Sequence, residues 1–167
     1  MIKIDNEFWD GKCVLVTGGS GFVGINILPL INKTLAKVIA PTHSDYDLLD
    51  QANIRNMLKK YKPDIVLHLA ALSGGIMANK NQPADYCYKN LYMGTSMIHE
   101  SWSAGVEKYI TLIGGCSYPD NANNPIKEDY LWVWFVYLLF IKFIYQNFWS
   151  YIYIQILKHI SNTFTIK

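Results

Sequence analysis

The sequence predicts an α/β protein, a doubly wound sheet of parallel strands, and three observations carry that prediction. Short apolar runs alternate with longer stretches of helical periodicity from about residue 13 to residue 113. The first of these runs, Cys13–Val16, passes through Thr17 into three glycines spaced three apart, Gly18, Gly21 and Gly24. A later run, Ile65–Leu69, is apolar almost without interruption, the pattern of a strand covered on both faces. Strands separated by helices pair in parallel through right-handed crossovers, with helices on both sides of the sheet.

Taken in order, Phe8 and Trp9 precede a turn at Asp10-Gly11, and Cys13–Val16 is the first strand. The first helix is expected from Phe22 to about Lys33, with Pro29 inside it costing a hydrogen bond or a kink. Lys37–Ala40 reads as the second strand, stopped by Pro41. Gln51–Tyr61 places Ile54, Met57 and Leu58 on one helical face, and Lys62-Pro63-Asp64 breaks it before the strand Ile65–Leu69. Pro83 opens a long helix to about Ala104, Gly105 closes it, and Tyr109–Ile113 is the last strand of the set.

The glycine triplet between a strand and a helix has a specific chemistry. Gly18 permits the tight turn, Gly21 lets the backbone approach a pyrophosphate, and Gly24 lets helix and strand pack closely. The helix that starts at Phe22 and Val23 presents unsatisfied N–H groups and a positive dipole end to phosphate. In a doubly wound sheet the ligand lies at the carboxyl ends of the strands. After the second strand come Pro41-Thr42-His43-Ser44-Asp45. His43 and Ser44 suit the 2′-phosphate of NADP, whereas Asp45 suits the ribose diol of NAD, and a plain polar loop is the alternative. Asp50 can accept from an adenine amino group or cap the helix that begins at Gln51. His68 reads as a satisfied core histidine. The small residues after it, in Leu69-Ala70-Ala71, let a cofactor lie against the backbone, and Ser73-Gly74-Gly75-Ile76 reads as a flexible loop beside the nicotinamide end.

Composition sets the outer bounds. A chain of 167 residues can bury a core of its own, and a formal charge of +2 gives no reason to expect nucleic acid as a partner. Cys13, Cys87 and Cys116 have no metal-ligand spacing, so no metal is expected, and they fit a reducing, cytoplasmic compartment. The first residues carry acids and no apolar core of a secretory signal. The chain then changes character near residue 130: half of its aromatic residues fall between Tyr130 and Tyr153, and no Asp or Glu follows Asp129. Two parts are therefore expected, residues 1–130 and an aromatic-rich, helical tail over 131–167. The apolar run Leu131–Ile141 is interrupted by Lys142 and reaches membrane-spanning length only by accepting polar residues. Its Phe, Tyr, Ile, Lys and Asn are what AT-rich out-of-frame sequence encodes, so a frameshifted tail is the expectation and a membrane anchor over residues 131–154 the alternative.

The Gly-x-x-Gly-x-x-Gly spacing with Thr17 ahead of it resembles the extended short-chain dehydrogenase/reductases of the NAD-dependent epimerase/dehydratase group. The run from His68 through Asn79 looks like the corresponding stretch of the GDP-L-fucose synthase family, as do Pro83-Ala84-Asp85, Lys89-Asn90-Leu91, Cys116-Ser117-Tyr118-Pro119 and Pro125-Ile126-Lys127-Glu128. The resemblance covers about residues 10 to 132. It implies an incomplete Rossmann-like domain, NADP as cofactor with NAD possible, a GDP-sugar substrate that is epimerised and reduced, and a homodimer. It also implies that Cys116 serves in acid/base exchange at a sugar carbon and that Asn90 lies near the active site. Two departures stand against turnover. No tyrosine has a lysine four residues on, so the family's Tyr-x-x-x-Lys pair is missing, and Gly114 stands where a substrate-binding serine is expected. A truncated cofactor-binding chain with weak or no activity is the expectation. A non-catalytic dinucleotide-binding module is the alternative.

Overall fold

Four strands pair in parallel in the order β2-β1-β3-β4 in the computed structural model, which describes residues 6–112, 123 and 125–130. They are β1 (Cys13–Thr17), β2 (Lys37–Ile39), β3 (Ile65–His68) and β4 (Lys108–Thr111). The helices are α1 (Asn6–Trp9), α2 (Phe22–Ile31), α3 (Gln51–Tyr61), α4 (Ile76–Asn81) and α5 (Pro83–Ser103). The register sets Leu15 beside both Ile39 and Val66, and Thr17 beside His68.

Side chains of a strand alternate between faces, and this divides the core in two. Leu15 and Val66 meet Ile54, Met57 and Leu58 of α3 and Met97 of α5 on one face. Val14, Val16, Ile65 and Leu67 meet Ile31 of α2 on the other, with Phe8, Trp9, Ile27 and Leu28 packed around them. Helices on both faces make the sheet doubly wound, as expected. Each of these central aliphatic side chains, nearly all fully covered, contributes about 1.5–3 kcal/mol by leaving water.

Element boundaries depart from the sequence reading at several points. α2 stops at Ile31 instead of near Lys33: Pro29, lacking an N–H, weakens its last turn, and Asn32 closes it by donating to Leu28. β2 ends at Ile39, and β3 at His68. α1 and α4 were not expected, being too short for periodicity to reveal. α4 begins at Ile76, the last residue of the Ser73–Ile76 stretch read as loop, and Asn79 donates to the carbonyls of Gly74 and Gly75.

Polar side chains join elements where apolar packing alone would not fix their registers. Asp64, just before β3, accepts from the Cys13 N–H at 2.7 Å, and its backbone carbonyl receives Glu107 and Lys108, so one residue aligns the starts of β1, β3 and β4. Glu100 of α5 is almost wholly buried and accepts from Arg55 Nε at 2.9 Å and Gln51 Nε2 at 2.6 Å, both on α3. Arg55 is the main reason its carboxyl is held below the usual range. Ala104 caps the end of α5, and Gly105 takes the left-handed conformation at φ +76°.

The chain divides into two compact units at Thr111/Leu112. The second contributes, among the described residues, a 3-10 turn over Glu128–Tyr130. The tail expected from residue 131 onward lies outside the described residues. No helix among the described residues is long and apolar enough to cross a membrane.

Candidate functional site: the glycine cradle and the strand ends around it

The loop from β1 to α2 owes its shape to two glycines. Gly18 lies at φ +71°, where a Cβ is strained, and an added Cβ would stand 2.6 Å from the Ala70 nitrogen and 2.7 Å from the Leu69 carbonyl carbon. The turn therefore presses against the end of β3. At Gly24 an added Cβ would collide with the carbonyl oxygens of Gly18 and Gly19, so the first turn of α2 lies directly on the loop. Gly21 is different. Its φ is −76°, and an added Cβ would meet only the Gly18 oxygen, at 3.3 Å. Beyond that contact the space over Gly21 is open.

Gly21 also occupies the N-cap of α2, where it supplies no side-chain acceptor. The N–H of Gly21 is taken by the Gly18 carbonyl at 3.0 Å, and Ile25 donates back to Gly21. The N–H groups of Phe22, Val23 and Gly24 form the first turn, which has no intrahelical acceptors. Phe22 is 83% exposed, so no packed side chain closes this end of the helix. α3 offers the contrast, since its N-cap Asp50 accepts from Ala52 at 2.8 Å. The chain caps one helix with a carboxylate and leaves the other without a side-chain cap.

Thr17, at the tip of β1, is the residue that binds the strand ends together. Its Oγ1 lies 2.7 Å from His68 Nδ1, it also accepts from the Ala70 N–H, and its carbonyl receives Leu69. Burial drives the pKa of His68 down to about 4, so the ring is neutral near pH 7. His68 is thus a satisfied core histidine, as read. The sequence singled out Thr17 only as a neighbour of the glycines. Its position as the one polar residue ending an apolar run was the available signal.

Leu69 and Ala70 line the cradle through their backbone, and Ala71 follows them into solvent. Asn90 of α5 holds the next residue at both polar atoms: Oδ1 accepts from the Leu72 N–H at 2.7 Å and Nδ2 donates to the Leu72 carbonyl at 2.9 Å. Asn90 acts on the loop after β3. Tyr86 stands over Gly74, where an added Cβ would meet its hydroxyl.

The segment after β2 borders the same loop, because a Cβ on Gly19 would stand 3.1 Å from that of Ala40. Asp45 Oδ2 accepts from both the N–H and the hydroxyl of Thr42, at 2.8 and 2.7 Å. The Thr42 hydroxyl is the main cause of a pKa below the usual carboxylate range. His43 projects into solvent with Nδ1 at 3.8 Å from Asp47 Oδ1. Gly18, Gly21, Phe22, Val23, Gly24, Leu69 and Ala70 are therefore neighbours along the β1–α2 turn, and His43, Asp50 and Asn90 belong to adjoining segments. Cys116 lies outside the described residues, as does Gly114. No group of three or more His, Cys, Asp or Glu suited to a metal ion occurs among the described residues.

A parallel sheet whose first strand enters an uncapped helix through Gly-x-x-Gly-x-x-Gly defines the Rossmann-like class. Within that class the chain belongs to the NAD dependent epimerase/dehydratase family, whose model matches residues 14–132. A GDP-L-fucose synthase from Sinorhizobium fredii is 39% identical over 122 residues, which are 73% of this chain and 39% of that protein. Among solved structures, a GDP-D-glycero-L-gluco-heptose synthase from Campylobacter jejuni, crystallised with NADPH, superposes with a TM-score of 0.67 at 32% identity, over 73% of this chain and 36% of its own. A GDP-L-fucose synthetase from Naegleria fowleri bound to NADP gives 0.65 at 30% identity, over 78% and 41%. The chain spans about two-fifths of the length of the curated relatives it matches.

Proposed function

We propose that these residues form the cofactor-binding part of an NADP-dependent enzyme that epimerises and reduces a GDP-sugar. The observation that carries this reading is the open space over Gly21 at the uncapped start of α2, on a turn whose Gly18 packs against the Leu69-Ala70 backbone. A diphosphate fits there because the donors are amides and no side chain competes for them. The relatives' names, with NADP or NADPH in the solved neighbours, support the cofactor and the substrate class. Bound, the nicotinamide supplies a hydride. The residues of this chain bind the diphosphate, hold the strand ends and set the wall after β3 through Asn90.

Cys116 is proposed as the acid/base at the sugar, on its family position alone. The 167 residues contain no Tyr-x-x-x-Lys pair to move the proton that accompanies hydride transfer. We therefore propose that the chain binds cofactor and turns over weakly or not at all. Calorimetry with NADP and NADPH tests the first half: saturable heat is expected, and no heat with either refutes it. Oxidation of NADPH in the presence of a GDP-4-keto-6-deoxy sugar tests the second, and turnover at the rate of a complete enzyme refutes it.

A further inference from the structure

Resting on the dinucleotide reading above, we infer that Tyr86 is a positioning residue: its ring seats the loop after β3, so that the half of the dinucleotide beyond the diphosphate meets a preformed wall. The loop concerned is Leu72–Gly75, between the end of β3 at His68 and the start of α4 at Ile76. In the order β2-β1-β3-β4, the β1–α2 turn has β2 on one side and β3 on the other. The end of the second strand takes the adenosine half in this class of fold, which turns the nicotinamide half toward β3.

Three side chains hold this loop. Asn90 of α5 takes both polar backbone atoms of Leu72. Asn79 of α4 donates to the carbonyls of Gly74 and Gly75, at 3.0 and 3.1 Å. Tyr86, half-buried, stands one helical turn before Asn90, so α5 presents both side chains to the loop from one face. An added Cβ on Gly74 would collide with the Tyr86 hydroxyl and lie 3.0 Å from the Tyr86 Cζ and 2.9 Å from the Cβ of Ala78. Gly74 is not among the glycines whose backbone is left-handed. What the position lacks is space, and glycine there lets the ring close down on the chain. A Cβ on the neighbouring Gly75 would meet nothing within 4 Å, so the crowding is confined to the residue under Tyr86. The contact is ring against backbone, which a phenylalanine would preserve.

The test compares two ligands by calorimetry on the full chain: NADPH, and 2′-phospho-ADP-ribose, which is the same molecule without its nicotinamide ring. The readout is the ratio of the second Kd to the first. A general loss of stability weakens both ligands alike and leaves that ratio where it was. Tyr86→Ala should lower the ratio toward one, by about five- to tenfold, the cost of re-ordering roughly one backbone residue on binding. Tyr86→Phe, which keeps the ring, should hold the parental ratio. Gly74→Ala should lower it as Tyr86→Ala does, because the new methyl displaces the ring. Heat with neither ligand refutes the dinucleotide reading and this inference with it. Binding of both with a parental ratio of one, a ratio indifferent to Tyr86→Ala or to Gly74→Ala, or an equal fall with Tyr86→Phe refutes this inference alone.

Discussion

Two alanine substitutions in one loop should separate folding from binding. At Gly18 the backbone is left-handed, which costs an L-residue about 1–2 kcal/mol. The new Cβ would also stand 2.6–2.8 Å from backbone atoms of Leu69 and Ala70, which cannot swing aside as a flexible side chain would. Forcing those atoms apart costs about 1–3 kcal/mol more. Gly18→Ala should therefore lose about 2–5 kcal/mol, a large share of the 5–15 kcal/mol that holds a typical domain together. Gly21→Ala meets neither penalty, because its φ is −76° and its single close contact is 3.3 Å from Gly18 O. Its stability should stay within about 1 kcal/mol of the parent. Its methyl, however, enters the space assigned to the diphosphate, and displacement of that group should weaken NADPH by about 10-fold or more, a cost of the same 1–3 kcal/mol. Urea denaturation and calorimetry on both variants make the comparison. A Gly21→Ala chain that binds at parental affinity would falsify the cradle, and a Gly18→Ala chain of parental stability would remove the steric account of the turn.

Three further outcomes follow from the geometry. Asp50→Ala removes the N-cap of α3 and should cost about 0.5–2 kcal/mol in urea denaturation, with Asn restoring most of it; a loss with Ala that Asn fails to restore assigns another role to the carboxylate. His68 has a folded pKa near 4 because of burial, below the ordinary 6.5, so its contribution is complete above about pH 6.5 and is lost as the pH falls toward 4. That amounts to about 3 kcal/mol, and denaturation midpoints across this range in the parent and in His68→Gln should show the slope only in the parent. Asn90→Ala frees both polar backbone atoms of Leu72. Hydrogen exchange at the Leu72 amide should accelerate about tenfold, as loss of about 1–1.5 kcal/mol implies, with little change in the amides of β1.

The elements that could be read from sequence are those whose burial repeats with a period. Ile54, Met57 and Leu58 recur on one face of α3, and all three are buried as that spacing requires. Ile65–Leu67 is apolar at every position because both faces of β3 are covered, and Gly18 announces the turn through a conformation other residues avoid. α1 and α4 escaped because four and six residues are too few to show periodicity. Of the turn, the left-handed backbone at Gly18 and the crowding of Gly24 against Gly18 and Gly19 were legible because both are local, whereas the press of Gly18 on Leu69 and Ala70 was not. Asp45 and Asp50 were read as open alternatives, and their nearest partners are three and two residues away in the chain. Thr17 with His68, Asn90 with Leu72 and Glu100 with Arg55 join positions 51, 18 and 45 residues apart. No pattern within a window encodes such a bond. It appears only when the sheet has brought the partners together.

Asn90 and Glu100 are ten positions apart on a single helix, about 15 Å along its axis. One is clamped to the strand-end loop and the other to α3, deep in the hydrophobic layer. α5 is thus a beam pinned at two points, and the polypeptide just beyond β3 is tied through it to the helix–helix contact. Altering the seam between α3 and α5 should therefore be felt at Leu72 without substituting any residue of the Gly18–Gly24 turn.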